Sequence, residues 1–317
     1  MATTTTPATA VPITCVQPGG GWCVRLELAW GRWRRWWLRR FRPGYVRRMM
    51  AKRQGDCPNC PHDVIDTRDL KYFRNVCGYW FHPEDDPFRW RDRLGLARMG
   101  LVEIACVSAL MLPLSLLLLV AALGWHGLFW GPWIAALVFW FELVYFFRDP
   151  RRSIPTDRRA LLSPADGKVT HIEEVDDADF PNGRALRISI FLSVFNVHVN
   201  RLPRSGQVAA LRYFPGGFLD ARHPDCATRN EQLWLDMREP NGRLVRVKQI
   251  AGALARRIVC WSKLGETVQA GDRFGMIKFG SRTDVLIPAH DAVELLVQVG
   301  DKVHGGSTML LRFLESG

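Results

Sequence analysis

Two Gly-Ser pairs near the C-terminus have the most specific chemistry in this 317-residue chain. Gly280-Ser281 lies in KFGSR, and Gly306-Ser307 lies in HGGST. A serine hydroxyl that attacks the carbonyl of the preceding residue can cut its own chain, and the serine can then become a reactive carbonyl group. The first question is therefore which of the two serines, if either, is reactive.

An internal repeat explains Ser307 as a turn residue. The stretch LGETVQAGDRFGMI begins at Leu264, and the similar stretch VGDKVHGGSTMLLR begins 35 residues later, at Val299. Ser307 falls where Asp272 falls in the first copy, and both residue types are common in turns. Each copy predicts two strands joined by a tight glycine turn, a device that resembles the hairpins of lipoyl- and biotinyl-type domains. Ser307 is therefore expected to be structural.

Ser281 lies outside the repeated turn, between the apolar runs FGMIKF and TDVLIP. Gly280 before it permits the unusual backbone geometry that a strained peptide bond requires. A glycine at a β-bulge is the alternative explanation. Of the two serines, Ser281 is the better candidate for self-cleavage.

Two apolar runs precede the region that carries these serines. LVEIACVSALMLPLSLLLLVAALGW and LFWGPWIAALVFWFELVYFF lie within residues 101–148, and each contains one acid. At ~1.5 Å per residue, about 20 helical residues span a hydrocarbon core of ~30 Å. Basic residues flank both ends of the pair, which predicts that both ends lie in the cytoplasm. We expect a two-helix transmembrane hairpin, with a buried pair of soluble helices as the alternative.

Residues 149–317 have the pattern of a mainly β domain with few helices. Short runs rich in β-branched and aromatic residues are separated by Gly, Pro and Asn. The runs are KVTHIEEV, RALRISIFLSVF, GQVAALRYF, NGRLVRVKQIAG and RRIVCW. We expect a β-sandwich that carries the lipoyl-like hairpin repeat and lies on the cytoplasmic face of the inner membrane, where its substrate would be a lipid.

The basic excess of the chain belongs to one N-terminal segment. Between Val24 and Gln54 lie eleven Arg and Lys but one acid, Glu27, so this segment carries most of the net charge of +12. Arg interleaved with Trp is typical of contact with anionic lipid, and nucleic acid is the other electrostatic option. We expect residues 1–54 to form a disordered extension and expect no nucleic-acid partner.

Residues 55–100 contain cysteines, but the sequence predicts no role for this segment. Cys57, Cys60, Cys77 and His82 are four potential zinc ligands, although their spacing is loose and includes one CxxC pair. The eight scattered cysteines do not have the pattern of a secreted disulfide framework. We therefore expect reduced, non-bridging cysteines and assign no metal.

Six motifs, taken in their order along the chain, resemble those of a known family. Behind a membrane hairpin, they closely resemble phosphatidylserine decarboxylase in its short, membrane-attached bacterial form, a pyruvoyl-dependent enzyme. The resemblance covers roughly residues 100–317. The motifs are FFRDPRR at 146–152, LSPADGKV at 162–169, FLSVFNVHVNRLP at 191–203, FPGGFLDA at 214–221, RNEQ at 229–232 and KFGSRTDVLIP at 278–288.

The resemblance implies a proenzyme that cuts itself between Gly280 and Ser281. A β chain of residues 1–280 and an α chain of residues 281–317 would remain associated. Ser281 would become a covalent pyruvoyl group, which forms a Schiff base with phosphatidylserine and accepts electrons as carbon dioxide leaves. The product is phosphatidylethanolamine, and neither PLP nor a metal is required. The family's tendency to associate also leads us to expect a homodimer.

The resemblance also assigns roles to two further residues, His198 and Asp166, and the sequence departs from the family pattern at Arg201. His198 in NVHVN matches the base that activates Ser281 and later donates a proton, and Asp166 in PADG matches the acid that orients His198. Longer relatives often carry HxxH, but here the second position is Arg201. His198 then serves both stages, or Arg201 or water takes one of them. Alternatively, Arg201 contacts the lipid phosphate or carboxylate.

Two other functions fit parts of the sequence. A decarboxylase of another serine phospholipid, such as archaetidylserine, would need the same residues. A membrane-anchored lipoyl-like adaptor or carrier would explain the hairpin and the repeat. A carrier needs a modifiable lysine at its exposed turn, whereas the first turn here reads QAGD and Lys302 precedes the second turn.

Overall fold

A computed structural model describes residues 9–223, 225–253, 257–278 and 281–314. In these ranges the chain folds into five α-helices and fourteen strands, joined by short 3-10 turns and loops. The helices are α1 (Trp22–Phe41), α2 (Pro43–Lys52), α3 (Leu101–Gly124), α4 (Trp130–Phe146) and the short α5 (Cys226–Arg229).

The strands confirm a mainly β domain after the hairpin. They are β1 (Ala160–Leu162), β2 (Gly167–Asp176), β3 (Arg184–Leu192), β4 (Val199–Arg201), β5 (Gly206–Phe214), β6 (Gln232–Arg238), β7 (Leu244–Ala251), β8 (Arg257–Cys260), β9 (Thr267–Val268), β10 (Arg273–Lys278), β11 (Ser281–Pro288), β12 (Val293–Leu295), β13 (Lys302–Val303) and β14 (Met309–Phe313). An eight-stranded sheet has the order β13-β2-β3-β11-β7-β6-β5-β9, and two three-stranded sheets have the orders β1-β14-β12 and β4-β10-β8.

The strand β11 occupies the interior of the large sheet. It pairs antiparallel with β3 on one side and with β7 on the other. All eight of its residues are buried. Both faces of the strand are therefore covered by other parts of the protein, so its polar residues are buried together with its apolar ones. Ser281 is its first residue and pairs with Leu192 and Ala251.

The two copies of the repeat form glycine turns, as the sequence predicted. Gly271 and Gly306 have φ angles of 84° and 75°, a region that favours glycine. The strand of the first copy, β9, and that of the second, β13, lie at opposite edges of the large sheet. The two turns nonetheless meet, since a Cβ on Gly306 would lie 3.6 Å from Gly271 Cα and 3.2 Å from Ile154. The glycines of the two turns therefore pack against each other.

The helices α3 and α4 form an antiparallel hairpin with a short connection. Arg98–Gly124 and Gly127–Phe146 are each long and apolar enough to cross a membrane. Apolar side chains such as Leu117 and Leu123 are 69% and 71% exposed. The indole N–H of Trp140 donates to Ser108 Oγ at 2.8 Å and links the two helices. This exposure differs from that of a buried pair of soluble helices.

The N-terminal segment differs from the disordered extension that its composition predicted. Residues 22–52 form α1 and α2, and salt bridges to later residues hold them: Arg34 pairs with Asp66, and Lys71 pairs with Glu27 at 2.8 Å. The arginines therefore neutralise acids of the following segment, a long-range pairing that composition does not reveal. Exposed aromatic side chains, including Trp30 and Trp36, remain on the outer face of α1.

One apolar cluster joins the N-terminal segment, the base of the hairpin and the β domain. Val16, Phe147, Val199 and Met276 are all buried in it. Backbone hydrogen bonds cross the same region, including Ala97 N–H to Phe147 O at 2.7 Å. The C-terminal end of α4 is thus packed directly on the strands that lead to Ser281.

Candidate active site

Ser281 begins β11 directly after the connection from β10, which ends at Lys278. Its side chain is fully buried, and within the described ranges its Oγ has no hydrogen-bond partner. A buried hydroxyl without a partner costs free energy, so its retention is typical of a functional group. Gly280, the other residue of the predicted cleavage site, lies outside the described residues.

His198 directly precedes β4, the strand that pairs with β10. Its carbonyl accepts a hydrogen bond from Ile277 N–H at 3.3 Å, and the next residue, Val199, pairs with Met276. Because Ile277 lies four residues before Ser281, the pairing of β4 with β10 places the histidine beside the strand that precedes the serine in the chain. In the sequence, His198 and Ser281 are more than eighty positions apart, so their spacing does not indicate this arrangement.

The environment of His198 keeps its imidazole neutral. Its Nδ1 donates to Asn196 O at 2.9 Å, so in the neutral ring the proton lies on Nδ1 and the lone pair on Nε2. Burial is the main cause that lowers the pKa of His198 to about 4; the Asn196 hydrogen bond and Asp166 oppose this change, and Arg148 adds to it. A neutral imidazole can accept a proton, which a general base requires.

The base of the hairpin supplies part of the histidine's surroundings. The ring of Phe146 lies over His198 with 4.3 Å between ring centroids. Arg148 donates to Phe195 O at 2.7 Å and so holds the loop before His198. Sequence reasoning assigned no role to Phe146 or Arg148, although both belong to the quoted motif FFRDPRR. That motif was the one sequence signal from which a role for these two residues could have been predicted.

Asp166 is buried. Its hydrogen-bond partners differ from His198, the partner that the analogy with hydrolase triads predicted. Its carboxylate accepts from Arg152 Nη2 at 2.8 and 2.9 Å and from Gly305 N–H at 2.8 Å, and His304 Nδ1 lies 3.5 Å away. The Nδ1 of His198 instead donates to Asn196. The influence of Asp166 on His198 is electrostatic: its negative charge opposes the lowering of the histidine pKa.

Arg201 is engaged with the protein itself. Its guanidinium donates to Gly271 O and to Asp149 Oδ1, both at 3.0 Å, and its side chain is 11% exposed. Asp149 follows the hairpin, and Gly271 is the turn glycine of the first repeat. Arg201 therefore ties the base of the hairpin to the β domain. Ser307 lies in the second turn, where its N–H donates to His304 O at 3.0 Å.

A polar network surrounds the start of β11. Arg282 Nε donates to Asp284 Oδ1 at 2.7 Å, and Arg282 Nη2 donates to Ser189 Oγ at 2.8 Å. At the other end of the β10–β11 connection, buried Lys278 pairs with Glu103 at the start of α3. Charged pairs thus hold both sides of the connection, which fixes its ends.

Comparison with known proteins agrees with the geometry. A family model described as phosphatidylserine decarboxylase matches residues 141–311. The phosphatidylserine decarboxylase proenzyme of Rhodopirellula baltica is 46% identical over 254 residues, which are 78% of this chain and all of the relative. The proenzyme of Desulfotalea psychrophila is 49% identical over 53% of this chain and 77% of the relative, and that of Burkholderia ambifaria is 43% identical over 68% and 94%. The chain belongs to the phosphatidylserine decarboxylase family.

Proposed function

We propose that this chain is a self-cleaving proenzyme that converts phosphatidylserine into phosphatidylethanolamine and carbon dioxide. The observation that carries the proposal is the buried Oγ of Ser281 at the start of β11, which has no hydrogen-bond partner among the residues that the structure describes. Neutral His198 is joined by its backbone to the strand before that serine. Family membership supplies the reaction and the substrate.

Self-cleavage begins at Ser281. Its Oγ attacks the carbonyl carbon of Gly280 while His198 Nε2 takes the hydroxyl proton, and the C–N bond breaks to leave an ester. Removal of the Ser281 Cα proton then releases Gly280 as a carboxylate and leaves dehydroalanine. Its imine tautomer adds water and loses ammonia, which leaves a pyruvoyl group at position 281.

The residues present fit that group. Among the described residues the Ser281 hydroxyl makes no hydrogen bond that the conversion would break, and the residue lies in a strand that is buried along its whole length. When formed, the pyruvoyl carbonyl supplies an electron sink for the bond to the departing carboxylate. His198 is the group that would hold a proton for return to the substrate carbon.

The two chains produced by cleavage should stay associated. The α chain, residues 281–317, would contribute β11 to the large sheet, where both of its neighbours, β3 and β7, belong to the β chain. Strand β14 of the α chain also pairs with β1 of the β chain. Cleavage before β11 removes none of these hydrogen bonds. The expected homodimer remains a prediction.

Membrane attachment through α3 and α4 would bring the site to its lipid. Phe146, the last residue of α4, contacts His198, so the histidine lies next to the end of the apolar hairpin. Basic residues flank the hairpin, which supports a cytoplasmic location at the inner membrane. The exposed tryptophans of α1, with the arginines between them, are suited to the headgroups of the same leaflet.

The test is the mass of the purified protein and its fragments. We expect a fragment that begins at residue 281 with an N-terminal pyruvoyl group and a second fragment that ends at Gly280. Ser281→Ala should leave the chain intact, whereas the matched control Ser307→Ala should still be cut. An uncut wild-type chain that decarboxylates phosphatidylserine would contradict the proposal. Assays with ester-linked and ether-linked serine lipids distinguish archaetidylserine as substrate.

A further inference from the structure

Three cysteine sulfur atoms converge within residues 55–100, ahead of residues 141–311 that the family model matches. The Sγ atoms of Cys57, Cys60 and Cys77 lie within 4.8 Å of one another, with 2.9 Å between those of Cys60 and Cys77. The structure joins Cys57 and Cys60 as a disulfide. This pairing differs from the expected non-bridging cysteines, because the CxxC turn brings the two side chains to one side.

The backbone around the cysteines is built to hold this convergence. Cys60 N–H donates to Cys57 O at 3.3 Å, which closes the CxxC turn. The segments that lead into Cys57 and out of Cys77 are paired, since Gln54 and Trp80 exchange hydrogen bonds at 2.9 and 3.0 Å. Gly78 makes the close approach possible: a Cβ there would lie 1.9 Å from the carbonyl oxygen of Asp56. Two chain segments thus bring the three sulfur atoms close together.

His62, two residues after Cys60, has one ring nitrogen available as a metal ligand. Nε2 of His62 donates to Asp69 O at 2.7 Å, so the lone pair of the neutral ring lies on Nδ1, which is buried without a hydrogen-bond partner within the described residues. Histidines that bind metal usually donate their other ring N–H to a carbonyl or carboxylate. The ring also packs on Phe73, a member of the apolar cluster around the three cysteines, at 4.7 Å.

His62 fits the fourth position better than His82, which the sequence pattern suggested. His82 is exposed, and its ring packs edge-on against Trp80 with 4.9 Å between centroids. His62 lies two residues after Cys60 and outside the group of three sulfurs, so binding requires its side chain to move toward them. Three thiolates and one imidazole form a ligand set typical of structural zinc sites.

We propose that the thiolates of Cys57, Cys60 and Cys77, together with Nδ1 of His62, bind one zinc ion. A dithiol reductant first transfers two electrons and two protons to the Cys57–Cys60 disulfide, giving two thiols and an oxidised reductant. Zinc then binds as the three thiols release their protons. The ion has no part in decarboxylation, and it joins two segments that no regular sheet connects.

The zinc site would stabilise the contact between the N-terminal segment and the β domain. Lys263 Nζ donates to the carbonyl of Cys77 at 3.0 Å, and Arg74 pairs with Glu266 at 2.8 Å. Both partners belong to the connection between β8 and β9. Loss of zinc should therefore loosen this contact before it affects the sheet that holds Ser281.

The experiment uses the full-length protein, purified in detergent with a phosphine reductant and without chelators. Elemental analysis should find about one zinc ion per chain, and X-ray absorption of the wild type should give about three sulfurs near 2.3 Å and one nitrogen near 2.0–2.1 Å. Because the absorption measurement needs no variant, misfolding of a mutant cannot obscure it.

Variants then assign the ligands. Cys57→Ser, Cys60→Ser and Cys77→Ser should each lower zinc content at least tenfold, and His62→Gln should weaken zinc binding in competition with a chromogenic chelator. Cys106→Ser, in α3, is the matched control and should keep its zinc. Reduced wild-type protein that takes up no zinc, and has only the Cys57–Cys60 disulfide after reoxidation, would overturn the site. An unchanged affinity in His62→Gln would overturn the role of that histidine.

Discussion

The ring of Phe146 covers the buried imidazole of His198, with 4.3 Å between the ring centroids. Phe146 is the last residue of α4, and His198 precedes β4 of the catalytic domain. The hairpin of α3 and α4 is therefore part of the environment that sets the pKa of the proposed general base. Removal of this contact should change catalysis through that pKa.

The first prediction concerns the pH dependence of self-cleavage. The pKa of His198 is lowered from 6.5 to about 4, mainly by burial, so wild-type cleavage should be independent of this group above about pH 5 and should slow as pH falls through 4. Phe146→Ala admits water and should move this fall toward pH 6.5. The rate of self-cleavage at each pH is measured by quenching the precursor at successive times and determining the mass of the products. An unchanged profile in Phe146→Ala would show that the ring does not control the base.

The same pKa predicts how stability depends on pH. Because the folded pKa lies below the unfolded value, the unfolded chain binds a proton first as pH falls from 6.5 to 4, and the folded state loses stability over that range. His198→Gln should remove this part of the loss. The melting temperatures of uncleaved Ser281→Ala and of Ser281→Ala/His198→Gln are measured at several pH values. If the two melting temperatures fall in parallel as pH falls, the burial argument is contradicted.

The third prediction concerns Asp166. Asp166→Asn removes the charge that opposes the lowered pKa of His198 and weakens the contact with Arg152, so self-cleavage should slow. The effect should be smaller than the ~10²–10⁴-fold loss expected for His198→Ala, because Asn196 still orients the ring. Exposed Asp176→Asn is the control. Equal losses in Asp166→Asn and His198→Ala would indicate that Asp166 orients the ring directly.

The fourth prediction concerns topology. Gly124 lies at the far end of α3, where a side chain would meet nothing within 4 Å. In intact cells, a cysteine introduced by Gly124→Cys should react with an impermeant maleimide, whereas Asp176→Cys should react after lysis alone. The reverse pattern would place the β domain outside the cytoplasm. Reaction of both sites in intact cells would contradict a membrane hairpin.

The fifth prediction concerns Arg201. Arg201→Gln loses the ion pair to Asp149 and a hydrogen bond to Gly271, so stability should fall by about 1–3 kcal/mol. If its role is structural, KM for phosphatidylserine should change little after processing is complete. A large rise in KM with an unchanged melting temperature would instead support contact with the lipid. Arg184→Gln, at an exposed ion pair, is the control.

The local sequence was sufficient for several features. The turn glycines of the repeat adopt positive φ, as the repeat predicted, and the choice of Ser281 over Ser307 stays a prediction. The two apolar helices and the mainly β domain were also predicted, because hydrophobic length and alternation are local properties. The six ordered motifs led to the family, which comparison with relatives confirmed.

Other features depend on contacts between distant parts of the chain, and only the tertiary structure decided them. Phe146 lies over His198, Arg152 pairs with Asp166, and the basic N-terminal segment folds against acids that follow it. No residue type indicates which element will cover it. Burial sets the pKa of His198, and it leaves the Ser281 hydroxyl without a hydrogen-bond partner in the described part of the chain. The sequence by itself determined which residues are available for the chemistry, and packing determined their protonation and surroundings, because desolvation depends on neighbours that the fold alone brings together.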